Sequence, residues 1–255
     1  MTLPQAMTAA EPRIASILPA HMSTERVMML ARMAIAKNPT IAQCEPLSVV
    51  ESIIQASRLG LEIGSPIGGA HLVPFKNKCQ MIVDYRALVR LALKSPDVLK
   101  VHATAVYLGE TFRVIQGTNQ AIIHEPHLTG VKDDANITGF YAVAKLNGGE
   151  SVHEYASREE VDKIRARSRA SARGPWVTDY AAMGSKTMLK RLAKWLPMHD
   201  EFGAAIEADN RADGFGSATI EGDTPASVMA QKALEAQAKL RDRLSEEEAP
   251  EEGGE

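Results

Sequence analysis

Three lysines recur at four-residue intervals in the segment "PWVTDYAAMGSKTMLKRLAKWLP". On an α-helix Lys186, Lys190 and Lys194 would share an arc of about 80° and rise about 6 Å per step. Arg191 widens this cationic stripe, the step matches the phosphates of an extended single strand, and Trp195 is left for packing. We therefore interpret the segment as a helix whose cationic side chains bind the backbone of a polyanion.

A second cationic segment, "RARSRASARG", lies just upstream. Its arginines stand among Ser, Ala and Gly, a composition too small and polar to form a core; they are Arg165, Arg167, Arg169 and Arg173. The pattern predicts either a loop that becomes ordered on a polyanion or a solvated flexible loop. Trp176 and Tyr85 are candidates for stacking on bases, worth about 1 to 3 kcal/mol each, although aromatic residues pack in cores more often.

The third cationic segment, "HLVPFKNKCQMIVDYRALVRLALKS", changes its period in the middle. Two β-type runs flank Lys76-Asn77, which predicts a hairpin with Asn77 at a positive φ. From Asp84 the period is helical, and cations recur every four residues at Arg86, Arg90 and Lys94. We expect Lys76 and Lys78 at the turn to stand near the start of this cationic helix.

The remaining patterns indicate the elements that position these segments. Residues 23–39 and 45–64 have helical spacing, and Ser23 or Thr24, Asn38-Pro39, Pro46 and Gly60 mark their ends. Five strand-like runs follow between 101 and 157, and two helices close the body, at about 158–167 and 175–195. The order predicts an α+β fold in which one antiparallel sheet with its hairpin is packed by helices.

Charge divides the chain into two parts. Residues 1–194 carry 24 Lys and Arg against 17 Asp and Glu, whereas residues 195–255 carry 5 against 15. A basic body with an acidic tail is typical of a protein that binds a polyanion, although such runs also cover solvated faces. From the changes of composition and charge along the chain we predict a mobile arm (1–22), a core (23–205), a linker (206–224) and a short helix with an acidic disordered tail (225–255).

The sequence lacks patterns for several kinds of catalytic site. "GSKT" at 184–187 has no earlier glycine at phosphate-loop spacing, so ATP binding is not expected, and Asp133-Asp134 has the pattern of an exposed loop. "HEPH" at 124–127 is interrupted by proline and has no third ligand, which favours a turn over a metal site. Cys44 and Cys79 are isolated, which favours idle thiols. We expect no metal and no cofactor, and the dependence on divalent ions stays open.

Residues of the kind that direct a chain to a membrane are also missing. No run of about 18 apolar residues occurs, and the N-terminus lacks a basic head followed by an apolar segment. We therefore expect a cytoplasmic protein.

Taken in order, five segments resemble the RecT family of phage single-strand DNA annealing proteins. They are "QASRLGLEIG", "GGAHLVPFKNKCQMIVDYRALVRLALKS", "HEPH" with Gly130, "GFYAVAKL" and "PWVTDYAAMGSKTMLKRLAKWLP", and the likeness runs from about Ser23 to Glu201. Two departures concern the hairpin: Lys76-Asn77-Lys78 stands where many relatives have Gly and an acid, and Asp84 precedes the tyrosine that often follows a glycine.

The resemblance implies an ATP-independent recombinase that coats single-stranded DNA and anneals it to a complementary strand. It also implies a homo-oligomer, as a ring or helical filament, a core distantly similar to Rad52-type annealers, and a partner 5′ to 3′ exonuclease. The tail is a candidate for docking that nuclease or a host single-strand-binding protein, or it is a solubilising extension. Deleting residues 212–255 should then spare annealing of naked DNA.

Combining the two lines of argument, we predict that the cations of all three segments line one groove. Replacing Lys190 and Arg191 with Ala should lower the salt slope of DNA binding by about one to two units. The alternatives are a metal-dependent nuclease acting on DNA and a passive structural DNA-binding module. The residues themselves offer binding chemistry and no clear bond-breaking chemistry.

Overall fold

The computed structural model describes residues 1–127, 132–172, 174–197 and 199–215, which form an α+β fold, as predicted. The helices are α1 (Leu3–Ile17), α2 (Thr24–Lys37), α3 (Pro46–Arg58), α4 (Tyr85–Ala92), α5 (Arg158–Arg167), α6 (Pro175–Thr178), α7 (Tyr180–Leu192) and α8 (Asp200–Asp213). The strands are β1 (Ala70–Phe75), β2 (Lys78–Val83), β3 (Val98–Tyr107), β4 (Thr111–Ile115), β5 (Ala121–Glu125), β6 (Ile137–Leu146) and β7 (Ser151–Ser157).

The N-terminal segment is a packed helix, so the prediction of a mobile arm over residues 1–22 is wrong for most of its length. Helix α1 begins with Pro4 in its first turn and buries one face, of which Ile14 is 1% exposed. That face packs against α2 and α3. Its apolar residues are mostly Ala and Met, which give only a weak amphipathic pattern. That pattern does not predict how completely this face is buried.

Local signals fix the ends of the next helices as expected. The Ser23 side chain accepts a hydrogen bond from the Arg26 N–H at 3.3 Å and caps α2, and Pro46 occupies the first turn of α3. Asp84 caps α4 by accepting from the Arg86 N–H at 2.7 Å. Each cap satisfies a donor that the helix itself leaves unpaired.

The hairpin β1–β2 has the predicted position and a different turn. Phe75 pairs with Lys78, so Lys76-Asn77 forms the two-residue turn, and Lys76 has the positive φ (55°) expected at Asn77. The Asn77 carbonyl accepts from the Glu45 N–H at 2.8 Å at the start of α3. That contact with α3 is a tertiary constraint, which local turn preferences do not contain.

The strands form three antiparallel sheets where one was predicted. They are β1–β2, β3–β6–β7 and β4–β5. Helix α7 packs on one face of β3–β6–β7 (called the inner face here), and a Cβ at Gly184 of α7 would collide with the ring of Phe140, which explains the glycine. On the opposite, outer face Phe112 of β4 stacks on Tyr141 of β6 with 5.4 Å between ring centroids. Strand periodicity alone does not determine which strands pair, so it could not separate these sheets.

Helix α8 extends the core beyond the predicted boundary at residue 205. Residues 206–213 are helical, Asp209 is completely buried, and Gly214 ends the helix in the left-handed conformation with φ 92°. Phe215 is 6% exposed. The linker prediction is therefore wrong for 206–213, while its remainder beyond Phe215 and the predicted tail at 225–255 lie outside the described residues. Within the described residues, no helix has both the length and the apolar character needed to cross a membrane.

Candidate nucleic-acid interface

Two of the three cationic segments meet at the hairpin turn. Lys76 Nζ lies 5.8 Å from the centroid of the Phe75 ring, and the guanidinium of Arg169 lies 5.5 Å from the same centroid. Arg169 is fixed by its backbone N–H, which donates to the Asp213 carbonyl at 3.0 Å. The loop after α5 therefore sits against the tip of the hairpin.

We call the exposed cations of this region the tip cluster: Lys76, Lys78, Arg167 and Arg169. Arg167 lies over the ring of Phe215 at 5.9 Å, and the neighbouring Gly214 lies against the Arg169 side chain. Exposed cations without buried carboxylate partners interact with a polyanion at little desolvation cost. The cluster therefore presents exposed positive charges from two distant segments. Arg173, predicted to belong here, lies outside the described residues.

Arg165 has a different role from its neighbours. Its side chain is half-buried, its Nε donates to the Ser171 carbonyl at 3.0 Å, and its guanidinium lies 5.6 Å from the centroid of Tyr180. These contacts stabilise the loop after α5 from the inside. Arg165 holds the loop that carries Arg169, and its own charge faces the core side of that loop.

The cations of α4 lie at the other end of the hairpin. Strand β2 runs from the turn towards α4, and its six residues, about 20 Å long, lie between Lys76 and Arg86. Arg86 donates to the Pro66 carbonyl at 3.0 Å. The expectation that the turn lysines stand near the start of the cationic helix is wrong, because the strand leads away from the turn.

Around Arg86 and Arg90 the segment before β1 contributes an acid. A hydrogen bond from Arg26 lowers the pKa of Glu62 despite the opposing effect of burial, and the charge of Arg90 lowers it further. The Arg26 Nε to Glu62 Oε1 distance is 2.6 Å. Arg86 and Arg90 are both exposed, and they form a second, partly neutralised cationic region at the base of the hairpin.

The lysine stripe of α7 is divided between the interior and the surface. Lys186 Nζ lies 2.7 Å from Asp209 Oδ1, and Lys190 Nζ lies 2.9 Å from Asp209 Oδ2 and 3.0 Å from Asp213. Both lysines are 6% exposed. The prediction that they form part of an exposed stripe is therefore wrong, because α8 supplies two acids at the same four-residue spacing.

The other two cations of the stripe differ from each other. Arg191 is 8% exposed and its guanidinium lies 3.3 Å from Glu154 on β7, so it too is buried against a carboxylate. Lys194 is exposed, and Trp195 beside it is 52% exposed with its Nε1 donating to Glu154 at 2.7 Å. Only the last turn of the predicted stripe faces solvent within the described residues.

Asp209 joins three elements at one carboxylate. Besides the two lysines of α7, its Oδ1 accepts from the backbone N–H of Val83 at 3.1 Å, which ends β2. Burial alone would raise the pKa of Asp209, but the charges of Lys186 and Lys190 outweigh it and lower the pKa to about 2. Burial would lower the pKa of Lys190, but the charges of Asp209 and Asp213 outweigh it and raise that pKa.

The two aromatic residues predicted to stack on bases are not surface residues. Trp176 is 2% exposed and lies 6.0 Å from Tyr180, ring to ring. Tyr85 is half-buried, and its hydroxyl accepts from the Ala103 N–H at 3.0 Å. Both therefore pack, as aromatic residues usually do. Trp195, which the helical pattern assigns to packing, is instead 52% exposed.

The side chains of "HEPH" make structural contacts: His124 and Glu125 end strand β5, and the residues that follow the segment, 128–131, lie outside the described residues. His124 Nε2 lies 3.0 Å from the Glu110 carboxylate and Nδ1 lies 3.2 Å from the Tyr141 hydroxyl. His127 donates its backbone N–H to Glu110 at 3.3 Å. The part of the chain that the structure describes holds no group of three or more His, Cys, Asp or Glu side chains suited to a metal ion.

The acids that pair with α7 were missed by sequence reasoning. Asp209 and Asp213 stand four residues apart, as do Lys186 and Lys190, so the matched spacing of opposite charges was a usable signal. The two acids lie in the segment whose composition predicts a linker (206–224), and a linker offers no helix face on which to match these charges. Glu154, in an alternating strand, gave no comparable signal.

Comparison with known proteins identifies similar sequences. The model of the RecT family matches residues 25–225. The chain is 37% identical over 207 residues to Protein RecT of Escherichia coli (strain K12), covering 78% of this chain and 76% of that protein. It is 28% identical over 157 residues to the uncharacterized protein YqaK of Bacillus subtilis (strain 168), covering 61% of this chain and 53% of that protein.

Proposed function

The chain belongs to the RecT family, and from that premise we propose that it binds single-stranded DNA and anneals complementary strands without ATP. The observation that carries the proposal is the convergence of Lys76 and Arg169 on the ring of Phe75. Two segments separated by more than 90 residues present their cations on one surface. Such a surface binds a phosphate backbone irrespective of sequence.

Annealing requires a grip on the backbone that leaves the base edges free. Lysine and arginine contacts to phosphates carry no sequence information, so a second strand can be tested by base pairing alone. In this proposal the tip cluster holds the strand and base-pair energy selects the partner. Trp195, exposed beside Lys194, is the ring placed to stack on a base.

Family membership supports several finer features of the proposal. We include a homo-oligomer, as a ring or helical filament, in which the grooves of neighbouring subunits are continuous. A partner exonuclease and a host single-strand-binding protein are proposed to dock on the segment beyond residue 215. No cofactor is included, and the proposed location is the cytoplasm of the bacterial host.

The test mixes two complementary fluorescent oligonucleotides with the full chain, without nucleotide, and follows pairing while a gel reports strand length. Accelerated pairing with intact strands supports the proposal. Binding without acceleration would instead identify a passive DNA-binding module. Strands shortened in the presence of Mg²⁺ would identify a nuclease.

A variant pair ties the activity to the tip cluster. Lys76→Gln with Arg169→Gln should lower the salt slope of single-strand binding by about 0.7 for each phosphate that the variant no longer binds. The matched control is Arg13→Gln with Lys37→Gln, which removes two exposed cations from α1 and α2. An equal decrease in both variants would mean that net charge, and not this surface, determines binding.

A further inference from the structure

Two lysines face each other across the outer face of the sheet β3–β6–β7. Lys100 of β3 is the direct cross-strand partner of Lys145 of β6, and both are exposed. Partners in an antiparallel pair project to the same side with their Cβ atoms about 5 Å apart, and like charges there are unfavourable. The fold therefore tolerates a repulsive pair at this position.

A β-bulge creates the pair. Val98 is opposite Leu146, and at unchanged register Leu99 would oppose Lys145 while Lys100 would oppose Ala144. Ala144 is 0% exposed on the inner face of the sheet, so Lys100 would then point towards α7. The register shift after Val98 turns Lys100 to the outer face beside Lys145. Bulges that re-aim a side chain in this way occur often next to functional sites.

Within the described residues, neither Lys100 nor Lys145 has a carboxylate at ion-pair distance, and Ser151 of β7 is opposite Lys145. The nearest acids in sequence are Asp97 and Glu150, which are exposed in the connections at this end of the sheet. Burial, and then the charge of Lys100, lower the pKa of His102, which lies two residues along the same face.

This surface is separate from the tip cluster. The outer face is turned away from α7, whereas Lys190 of α7 pairs with Asp213 of α8, whose carbonyl accepts from the Arg169 N–H of the tip cluster. The sheet and α7 thus lie between the two cationic surfaces.

We infer that Lys100 and Lys145 form a second binding site for the phosphodiester backbone of DNA, which captures a further strand while the tip cluster holds the first. This inference rests on the proposed function and deepens it. Annealing brings two strands to one protein, and a second cationic site raises the local concentration of the incoming strand. The site needs no base readout, because two lysines recognise phosphate groups as point charges.

The experiment separates capture of the second strand from binding of the first. The full chain is saturated with a donor-labelled oligonucleotide, an acceptor-labelled strand that cannot pair with it is added, and energy transfer reports that the protein holds both. For Lys100→Gln with Lys145→Gln we expect unchanged first-strand affinity. The salt slope of second-strand capture should fall by about 1.4. The loss of capture affinity between 50 and 200 mM salt should therefore be about sevenfold smaller than in the unmodified chain. The control is Arg13→Gln with Lys37→Gln.

A single charge reversal tests whether lost capture results from unfolding. Lys100→Glu converts the repulsive pair into an attractive one, so Tm should stay the same or rise, whereas second-strand capture should weaken.

Each outcome either supports the site or overturns it. Unchanged capture in Lys100→Gln with Lys145→Gln, or an equal decrease in the control, would overturn the inference. Weakened first-strand binding would assign the lysines to the primary site and would overturn it as well. If the unmodified chain binds no strand at all, the proposed function fails and not this site alone.

Discussion

Asp209 binds Lys190 inside the protein, with 2.9 Å between Oδ2 and Nζ, and the carboxylate is completely buried. Lys186 and the Val83 N–H occupy its other oxygen. One acid of α8 thus links the helix that the sequence marks as cationic to the hairpin whose turn carries Lys76. This network buries Lys186 and Lys190, so they are not among the exposed cations of the described residues.

Removing that carboxylate should destabilise the fold. Asp209→Asn leaves two buried lysines without their shared partner, and breaking a buried ion pair costs about 3 to 5 kcal/mol. Urea unfolding measures the change. On the same helix Glu207→Gln removes an exposed acid paired with Arg211, and we expect a cost of at most about 0.5 kcal/mol. Similar costs for the two variants would show that the buried network contributes little.

The same carboxylate should make stability sensitive to acid. The pKa of Asp209 is lowered to about 2 in the folded state, against an ordinary value of about 3.9 in the unfolded chain. Its contribution, about 2 kcal/mol, is therefore complete above about pH 4 and disappears as the pH falls towards 2. The difference in unfolding free energy between the unmodified chain and Asp209→Asn should narrow over this window. A constant difference from pH 5 to pH 2 would contradict the assignment.

Substitutions at the hairpin turn and in α7 should have opposite signatures. Lys76 has φ 55°, where glycine is at less strain, so Lys76→Gly should keep or raise Tm while lowering the salt slope of single-strand binding by about 0.7. Lys190→Met should instead lower Tm, because it leaves Asp213 and part of Asp209 unpaired, and leave the slope unchanged.

Measuring Tm and the salt slope on the same preparations tests both halves. If Lys190→Met lowered the salt slope without lowering Tm, Lys190 would have to contact DNA directly. If Lys76→Gly left the salt slope unchanged, the hairpin turn would not contact DNA.

Truncation should have a sharp boundary. Deleting residues 212–255, which the sequence pattern predicted to be harmless, removes Asp213 and Phe215, and these contact Lys190 and the loop that carries Arg169. We expect this deletion to lower Tm and weaken annealing, whereas deletion of 216–255 should spare both. Thermal unfolding and the oligonucleotide assay compare the two. If both truncated chains kept the Tm and the annealing rate of the full chain, residues 212–215 would be dispensable.

Features that depend on neighbours along the chain were predictable from the amino-acid sequence. The caps at Ser23 and Asp84, the first-turn Pro46 and the alternation of the strands are local signals, and they indicated the α+β class and most of the helices and strands. The ordered series of segments indicated the family, because a family pattern is a property of the sequence.

Which cations are buried, in contrast, is a property of the tertiary packing. The spacing of Lys186, Lys190 and Lys194 states that they share a helix face, but it does not state what packs on that face. The answer lay about 20 residues further along the chain in Asp209 and Asp213, and in Glu154 for Arg191. The pairing of Lys100 with Lys145 likewise depends on one bulge. Contacts between distant segments decide which charged side chains are buried and paired. Periodicity depends only on neighbours along the chain.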